Sequence, residues 1–164
     1  MTSFFDITST LPWPNAIGKR TAVGPLVGAA ESEAISELAR TTPLILVITA
    51  TTAAAHNLAS ELPFFLSDDR EILLVPDWET LPYDNFSPHE DIVSDRLKAL
   101  SRLPTLKSGV VIVSVTTLMH RLAPRHFIDA GVLSLKAGET LDAEQFVRNL
   151  TRNGYRSVDT VYEH

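Results

Sequence analysis

Three short apolar runs, each about the length of one strand, constrain this chain more than any other feature. Leu44-Ile45-Leu46-Val47-Ile48, Ile72-Leu73-Leu74-Val75 and Val110-Val111-Ile112-Val113 are apolar at every position. A strand with one wet face alternates apolar and polar residues, and a strand covered on both faces does not. The runs therefore predict strands buried on both sides. Around them the spacing turns helical. Ahead of the first run, Leu26, Ala30, Ala34, Ile35 and Leu38 form a stripe with Glu31, Glu33 and Glu37 beside it, and Pro43 ends it. Ala55, Leu58 and Leu62 share one side of the next helix, which Pro63 ends or kinks. Val93, Leu97, Leu100 and Leu103 mark the expected inner face of a third. Strand and helix in alternation predict an α/β fold: a parallel sheet flanked by helices.

The longest junction, residues 77–91, is more than a connector. It holds the aromatics Trp78, Tyr83 and Phe86, which are expected to pack the loop against the sheet edge. At its end Ser87 is the expected N-cap, Pro88 suits the first helical position, and Glu90 completes a capping box. After the third run, Thr116 or Thr117 is expected to cap a short helix through Leu118 and Met119.

Beyond Arg121 the pattern changes. Residues 124–130 are mixed, and Val132-Leu133-Ser134-Leu135 reads as a strand. Asp142 with Gln145 forms a second capping box, and Leu141 is placed to staple onto Phe146. Val147 and Leu150 continue that helix, Asn153-Gly154 stops it, and an extended segment is expected from Tyr155. The expected organisation is a first domain over residues 1–129, led in irregularly by Pro12, Trp13, Pro14 and Gly18. The start of a small α+β domain follows over 130–164, cut off partway.

Composition removes several function classes. No apolar run approaches the roughly 20 residues that span a bilayer. With no cysteine there is no disulfide framework, thiolate metal site or cysteine nucleophile. A formal charge of −6 argues against this chain gripping nucleic acid on its own, because phosphate binding needs clustered Lys and Arg. The first residues lack the basic and apolar regions of a secretory signal, so a cytoplasmic location is expected.

A phosphate-cradling loop is expected before the first helix of such a sheet, where backbone N–H groups meet the helix dipole. Laid on G-x-x-x-x-G-K-[ST], residues 23–30 place Val23 at the first glycine, and only Gly28 fits. Ala29 stands where lysine reaches the phosphates, and Ala30 where a hydroxyl holds magnesium. Pro25 removes another donor. The sequence therefore predicts a degenerate nucleotide site, with no cofactor and no metal held by this chain. Asp77, Glu79 and Asp84 leave a carboxylate-based or nucleotide-hydrolysing enzyme as the alternative. The histidines at 56, 89, 120, 126 and 164 show no metal-ligand spacing. Ser87, His89 and Asp91 are sequence neighbours, unlike a triad assembled across a fold. Arg148, Arg152 and Arg156 are the candidate partner-binding residues, although such a set is usually a solvated face near a helix C-terminus.

Asp77-Trp78-Glu79-Thr80-Leu81-Pro82-Tyr83-Asp84, Phe86-Ser87-Pro88-His89, Asp91-Ile92 and Arg96-Leu97 together resemble the N-terminal region of the bacterial transcription-repair coupling factors. Weaker similarity continues through residues 109–113, 117–119 and 154–156, covering most of the chain from about Gly24. The resemblance implies a RecA-like domain, similar to domain 1a of UvrB, that has lost its ATP site, and then part of domain 2. The damage-probing hairpin of UvrB has no counterpart after Pro88. For the longer parent it implies an ATP- and magnesium-dependent DNA translocase that displaces stalled RNA polymerase. UvrA would be recruited through the complete domain 2, and no membrane is involved. The family's UvrA-contacting arginines fall after His164, so none is carried onto a residue here.

Overall fold

The computed structural model describes residues 11–14, 16–67, 69–80, 84–131, 135 and 137–160. The chain divides into two compact units, Met1–Leu122 and Ala123–His164.

The first unit is built on three parallel strands, β1 (Leu44–Thr49), β2 (Glu71–Val75) and β3 (Gly109–Ser114), in the spatial order β1-β3-β2. Helix α1 (Ala30–Thr41) precedes β1. Helix α2 (Thr52–Glu61) links β1 to β2, α3 (Glu90–Arg102) links β2 to β3, and α4 (Val115–Met119) follows β3. The predicted α/β architecture is the observed one. Its central strand is covered on both faces, and β3 is buried along its whole length.

Period-two alternation assigns each apolar side chain to a face. On one face Val110 and Ile112 of β3 meet Ala55, Leu58 and Leu62, with Ile35, Val47, Ile72 and Leu74 packed around them. The stripe Ala55, Leu58, Leu62 is the one expected, and Pro63 converts the end of α2 into a short 3-10 turn, Leu62–Phe64. Thr51 caps α2, its side chain accepting from the Ala54 N–H at 3.1 Å. On the opposite face Val111 and Val113 pack with Leu73, Val75, Ala99 and Leu106.

Several expectations are corrected. Strand β1 is not covered on both sides: Leu44, Leu46 and Ile48 are 43%, 57% and 51% exposed. It is an edge strand, and α3, the helix of that face, is held to the β2 side by tethers at its middle and its C-terminal end. Arg96 Nη1 donates to the Pro76 carbonyl at 2.7 Å, and Arg102 Nε donates to Glu71 at 2.9 Å.

The same tethers set the roll of α3. Its buried residues are Arg96 and Ala99, while Leu97 is 42% exposed and Leu103 37%. Leu100 and Leu103 line a groove beside β1, and the small Ala99 lies on the sheet face, buried among Val111, Val113 and Val75. The helix also starts later than expected, with His89 in place of Ser87 as N-cap. Starting at Glu90 puts Glu90 and Asp91 in the first turn, beside the positive end of the helix dipole. In α4 the cap is Ser114, not Thr116 or Thr117; its Oγ accepts from the Thr117 N–H at 3.2 Å.

In the second unit, residues 125–131 form a helix that the mixed composition did not announce, α5 (Arg125–Gly131). Pro124 starts it, its carbonyl accepting from Phe127 and Ile128, and Arg125 pairs with Asp129 one turn on. Residues 132–134 of the expected strand lie outside the described residues. Helix α6 (Ala143–Arg152) is capped as expected by Asp142, which accepts from the Gln145 N–H at 3.0 Å. It stops as expected too. Gly154 takes φ +89°, Tyr155 N–H bonds back to Leu150, and Gly154 N–H bonds to Thr151. The residues after Tyr155 form no strand as far as position 160.

Candidate functional site at the carboxyl ends of the strands

In an open α/β sheet, the crevice beyond the carboxyl ends of the strands is where ligands bind. Because the three strands are parallel, the residues that follow them converge there. Asp77 stands two residues past β2, Thr52 opens α2 just after β1, and Thr116 lies in α4 just after β3. Asp77 Oδ2 accepts from the Thr52 hydroxyl at 3.2 Å and the Thr116 hydroxyl at 3.3 Å. Its other oxygen, Oδ1, accepts from the Trp78 N–H at 2.8 Å. One carboxylate thus ties together the ends of all three strands.

Beside it opens a cleft of about 440 Å³ lined by Asp77, Glu79, Thr80, Thr116, Met119 and His120. His120 Nε2 stands 3.8 Å from Asp77 Oδ1. Glu79 takes φ +57°, a left-handed conformation uncommon for a residue with a side chain. Of the three carboxylates considered for hydrolysis, Asp77 and Glu79 share this cleft, and Asp84 is not among its lining residues. Asp77 already accepts three hydrogen bonds there, from two hydroxyls and an amide. Among the described residues, no cluster of three His, Asp or Glu could hold a metal.

Residues 23–30, laid above on the phosphate-loop pattern, lie at the start of α1, and among the described residues no strand precedes them. Gly28 takes φ +64°, Ala29 occupies the N-cap with no side-chain cap, and Ala30 begins the helix. Glu31 and Glu33 occupy the first turn, where their charge opposes a phosphate.

The arginines considered for a partner are on or just beyond α6. Arg148 pairs with Glu144 at 3.3 Å, Arg152 is in the last turn, and Arg156 follows the helix; all three are exposed. Among the described residues the histidines do not assemble. His89 and Asp91 meet at the surface at 3.2 Å, and His56 and His126 are exposed.

The reading of the sequence missed one residue altogether as a functional candidate. Arg96 is 1% exposed, with its guanidinium carbon 4.7 Å from the centre of the Trp78 ring. Only its Nη1 has a partner; Nε and Nη2 are buried without one. Burial pushes this guanidinium below the ordinary arginine range, with the Asp77 carboxylate acting the other way. The available signal was its spacing with Ile92 and Ala99, at i, i+4 and i+7 of one helical face.

No family model matches the chain. Characterised proteins named transcription-repair-coupling factor do resemble it, among them the following three. It is 40% identical to that of Escherichia coli over 152 residues, 92% of this chain and 13% of the relative. It is 40% identical to that of Haemophilus influenzae over 143 residues, 87% of the chain and 12% of the relative. With that of Mycobacterium bovis the identity is 38% over 135 residues, 77% of the chain and 10% of the relative. The chain thus spans about one-eighth of the length of the first two. Identity at this level along nearly the whole chain places it in the transcription-repair-coupling factor family, as a segment from the N-terminal region of such a protein.

Proposed function

We propose that this segment is a non-catalytic adaptor module of a transcription-coupled DNA repair factor. In this reading the sheet is a RecA-like domain, similar to domain 1a of UvrB, that no longer holds ATP or magnesium. The second unit begins the domain that recruits UvrA. The longer protein would be the ATP-driven DNA translocase that releases stalled RNA polymerase in the cytoplasm, with its motor outside these residues. The relatives' shared name supports the setting.

The entry to α1 supports the lack of catalysis. Ala29 and Ala30 replace the lysine and hydroxyl that a triphosphate with magnesium requires, and Glu31 and Glu33 add negative charge there. The absence of a membrane-spanning candidate fits the setting as well: no helix among the described residues is long and apolar enough to cross a bilayer.

Isothermal calorimetry with ATP and magnesium tests the catalytic half. No heat of binding is expected up to millimolar nucleotide, and magnesium-dependent micromolar binding would overturn it. A UvrA pull-down tests the other half. This chain is compared with one extended through the rest of the second domain, and only the extended chain is expected to retain UvrA. Equal retention would move the UvrA contact into these 164 residues, with Arg148, Arg152 and Arg156 as the first positions to substitute.

A further inference from the structure

Two helix starts are written into residues 87–91, and the structure uses one of them. Ser87-Pro88-His89-Glu90 carries a capping box, with proline suited to the first helical position. Yet α3 begins at Glu90, and its N-cap is His89, at φ −60° and ψ 142°. Ser87 and Glu90 are exposed, and the box they would form is not made.

His89 holds its place through one atom with two incompatible contacts. Its Nδ1 accepts from the Asp91 N–H at 3.4 Å and stands 3.2 Å from Asp91 Oδ2. Accepting from the amide needs a bare lone pair on Nδ1, and meeting the carboxylate favourably needs a proton in that same place. The contacts therefore belong to two protonation states. Neutral His89, with its proton on Nε2, caps α3. Protonated His89 pairs with Asp91 and leaves the Asp91 amide without an acceptor.

We infer that residues 87–91 are a pH-dependent choice of helix start: α3 begins at Glu90 under a neutral His89, and at Pro88 under Ser87 once His89 is protonated. The backbone is prepared for the longer helix. Proline fixes its own φ near the helical value, and His89 already has a helical φ, so the change falls on the ψ angles of Pro88 and His89. Ser87, placed before a proline, is biased to the extended backbone that an N-cap has. In the longer helix the Asp91 and Ile92 amides reach the Ser87 and Pro88 carbonyls, and the Glu90 amide meets the Ser87 hydroxyl. One interaction is given up, because residues two apart on a helix do not face each other and the pair with Asp91 opens. Those side chains are 72% and 86% exposed, and such a pair is worth less than a cap with its hydrogen bonds. Among the described residues no ion pair reaches His89 from another element, so Asp91, the adjacent Glu90 and the positive end of the helix dipole are the charges that act on it. As pH falls, the loop from β2, which carries Asp77 and Glu79 at the cleft, gives up Pro88 and His89 to the helix. The inference is independent of whether the module binds UvrA or has lost ATP.

Nuclear magnetic resonance on the chain tests it between pH 8 and pH 5, the range in which histidine changes charge. Pro88 does not titrate, so its Cα chemical shift reports the backbone alone. That shift is expected to move from an extended to a helical value as His89 protonates. The protection factor of the Ile92 amide is expected to rise about fivefold, the factor that one cap is worth. Both changes are expected to vanish in Ser87→Ala, which lacks the second cap, and in His89→Asn, which caps without titrating. A Pro88 shift that stays extended at pH 5 would overturn the inference. So would a change that persists in either variant, or one that spreads to Val110–Val113 in the sheet. ATP binding and UvrA retention are read separately, so either proposal can fail alone.

Discussion

The guanidinium of Arg96 stacks on the indole of Trp78, 4.7 Å from its centre, and this pair fastens α3 to the loop that leaves β2. Arg96 continues from the ring to the Pro76 carbonyl, so one side chain joins a helix, a strand end and an aromatic.

Trp78→Ala is therefore expected to destabilise the chain by about 2–3 kcal/mol, from lost apolar contact and lost cation–π attraction. Trp78→Phe keeps a ring beneath the guanidinium and is expected to cost about 1 kcal/mol. Urea denaturation followed by circular dichroism measures both. If the two substitutions cost the same, the ring is not what holds Arg96.

Arg96 also shows where a linear reading stops. Val93, Leu97, Leu100 and Leu103 make the more apolar stripe, so hydrophobicity turns the leucines inward and the arginine outward. The protein does the reverse because the partners of Arg96 lie in a separate element, 20 residues away at Pro76. Strand β1 fails for a related reason. Leu44-Ile45-Leu46-Val47-Ile48 says that both faces need cover, but not that the cover is among these residues. The strands, α2 with its Pro63 turn, and the Asp142 and Gly154 ends of α6 were legible because each depends on residues within one or two turns. At the candidate site, Asp77 was visible as an acid after a strand. Its partners Thr52 and Thr116 are 25 and 39 residues away, and the parallel strand order had to be known before they could be joined to it.

Gly109 opens the central strand, opposite Leu44 on one side and Glu71 on the other. Its φ is +143°, and a Cβ there would lie 2.3 Å from the Glu71 carbonyl oxygen. Backbone cannot yield as a flexible side chain does, so Gly109→Ala is expected to cost about 3 kcal/mol or more. Gly28→Ala is the control, since Gly28 also has positive φ but nothing within 4 Å. It is expected to cost only about 1 kcal/mol. Thermal melts of the two variants compare them, and equal losses would refute the steric reading of Gly109.

Glu71 receives Arg102 Nε at 2.9 Å and Arg102 Nη2 at 2.6 Å. The hydrogen bonds from Arg102 hold its carboxyl below the ordinary glutamate range; slight desolvation opposes this, and the arginine's charge assists it. A carboxyl depressed in the folded state adds stability above its unfolded pKa and loses it as pH falls through the folded value. The loss therefore begins below about pH 4.3. Both side chains are more than a third exposed, so solvent screening limits the effect to under about 1 kcal/mol. Urea midpoints between pH 6 and pH 3 are expected to fall less steeply for Glu71→Gln than for the parent chain. Parallel curves would show that the pair contributes nothing to the acid limb.

Thr52 and Thr116 donate to the same oxygen, Oδ2 of Asp77, from the ends of two different strands. Thr52→Val and Thr116→Val keep the side-chain shape and remove one donor each, at an expected cost of about 1 kcal/mol apiece. Their effects should not add. With one hydroxyl left, Oδ2 retains a partner; with both gone, a half-buried carboxylate oxygen faces apolar methyls. The double variant is expected to be about 0.5–1 kcal/mol less stable than the sum of the single effects. A double-mutant cycle in urea measures that excess directly. Strict additivity would mean that water from the adjoining cleft replaces the lost donors, and that Asp77 does not bind the three strand ends as one unit.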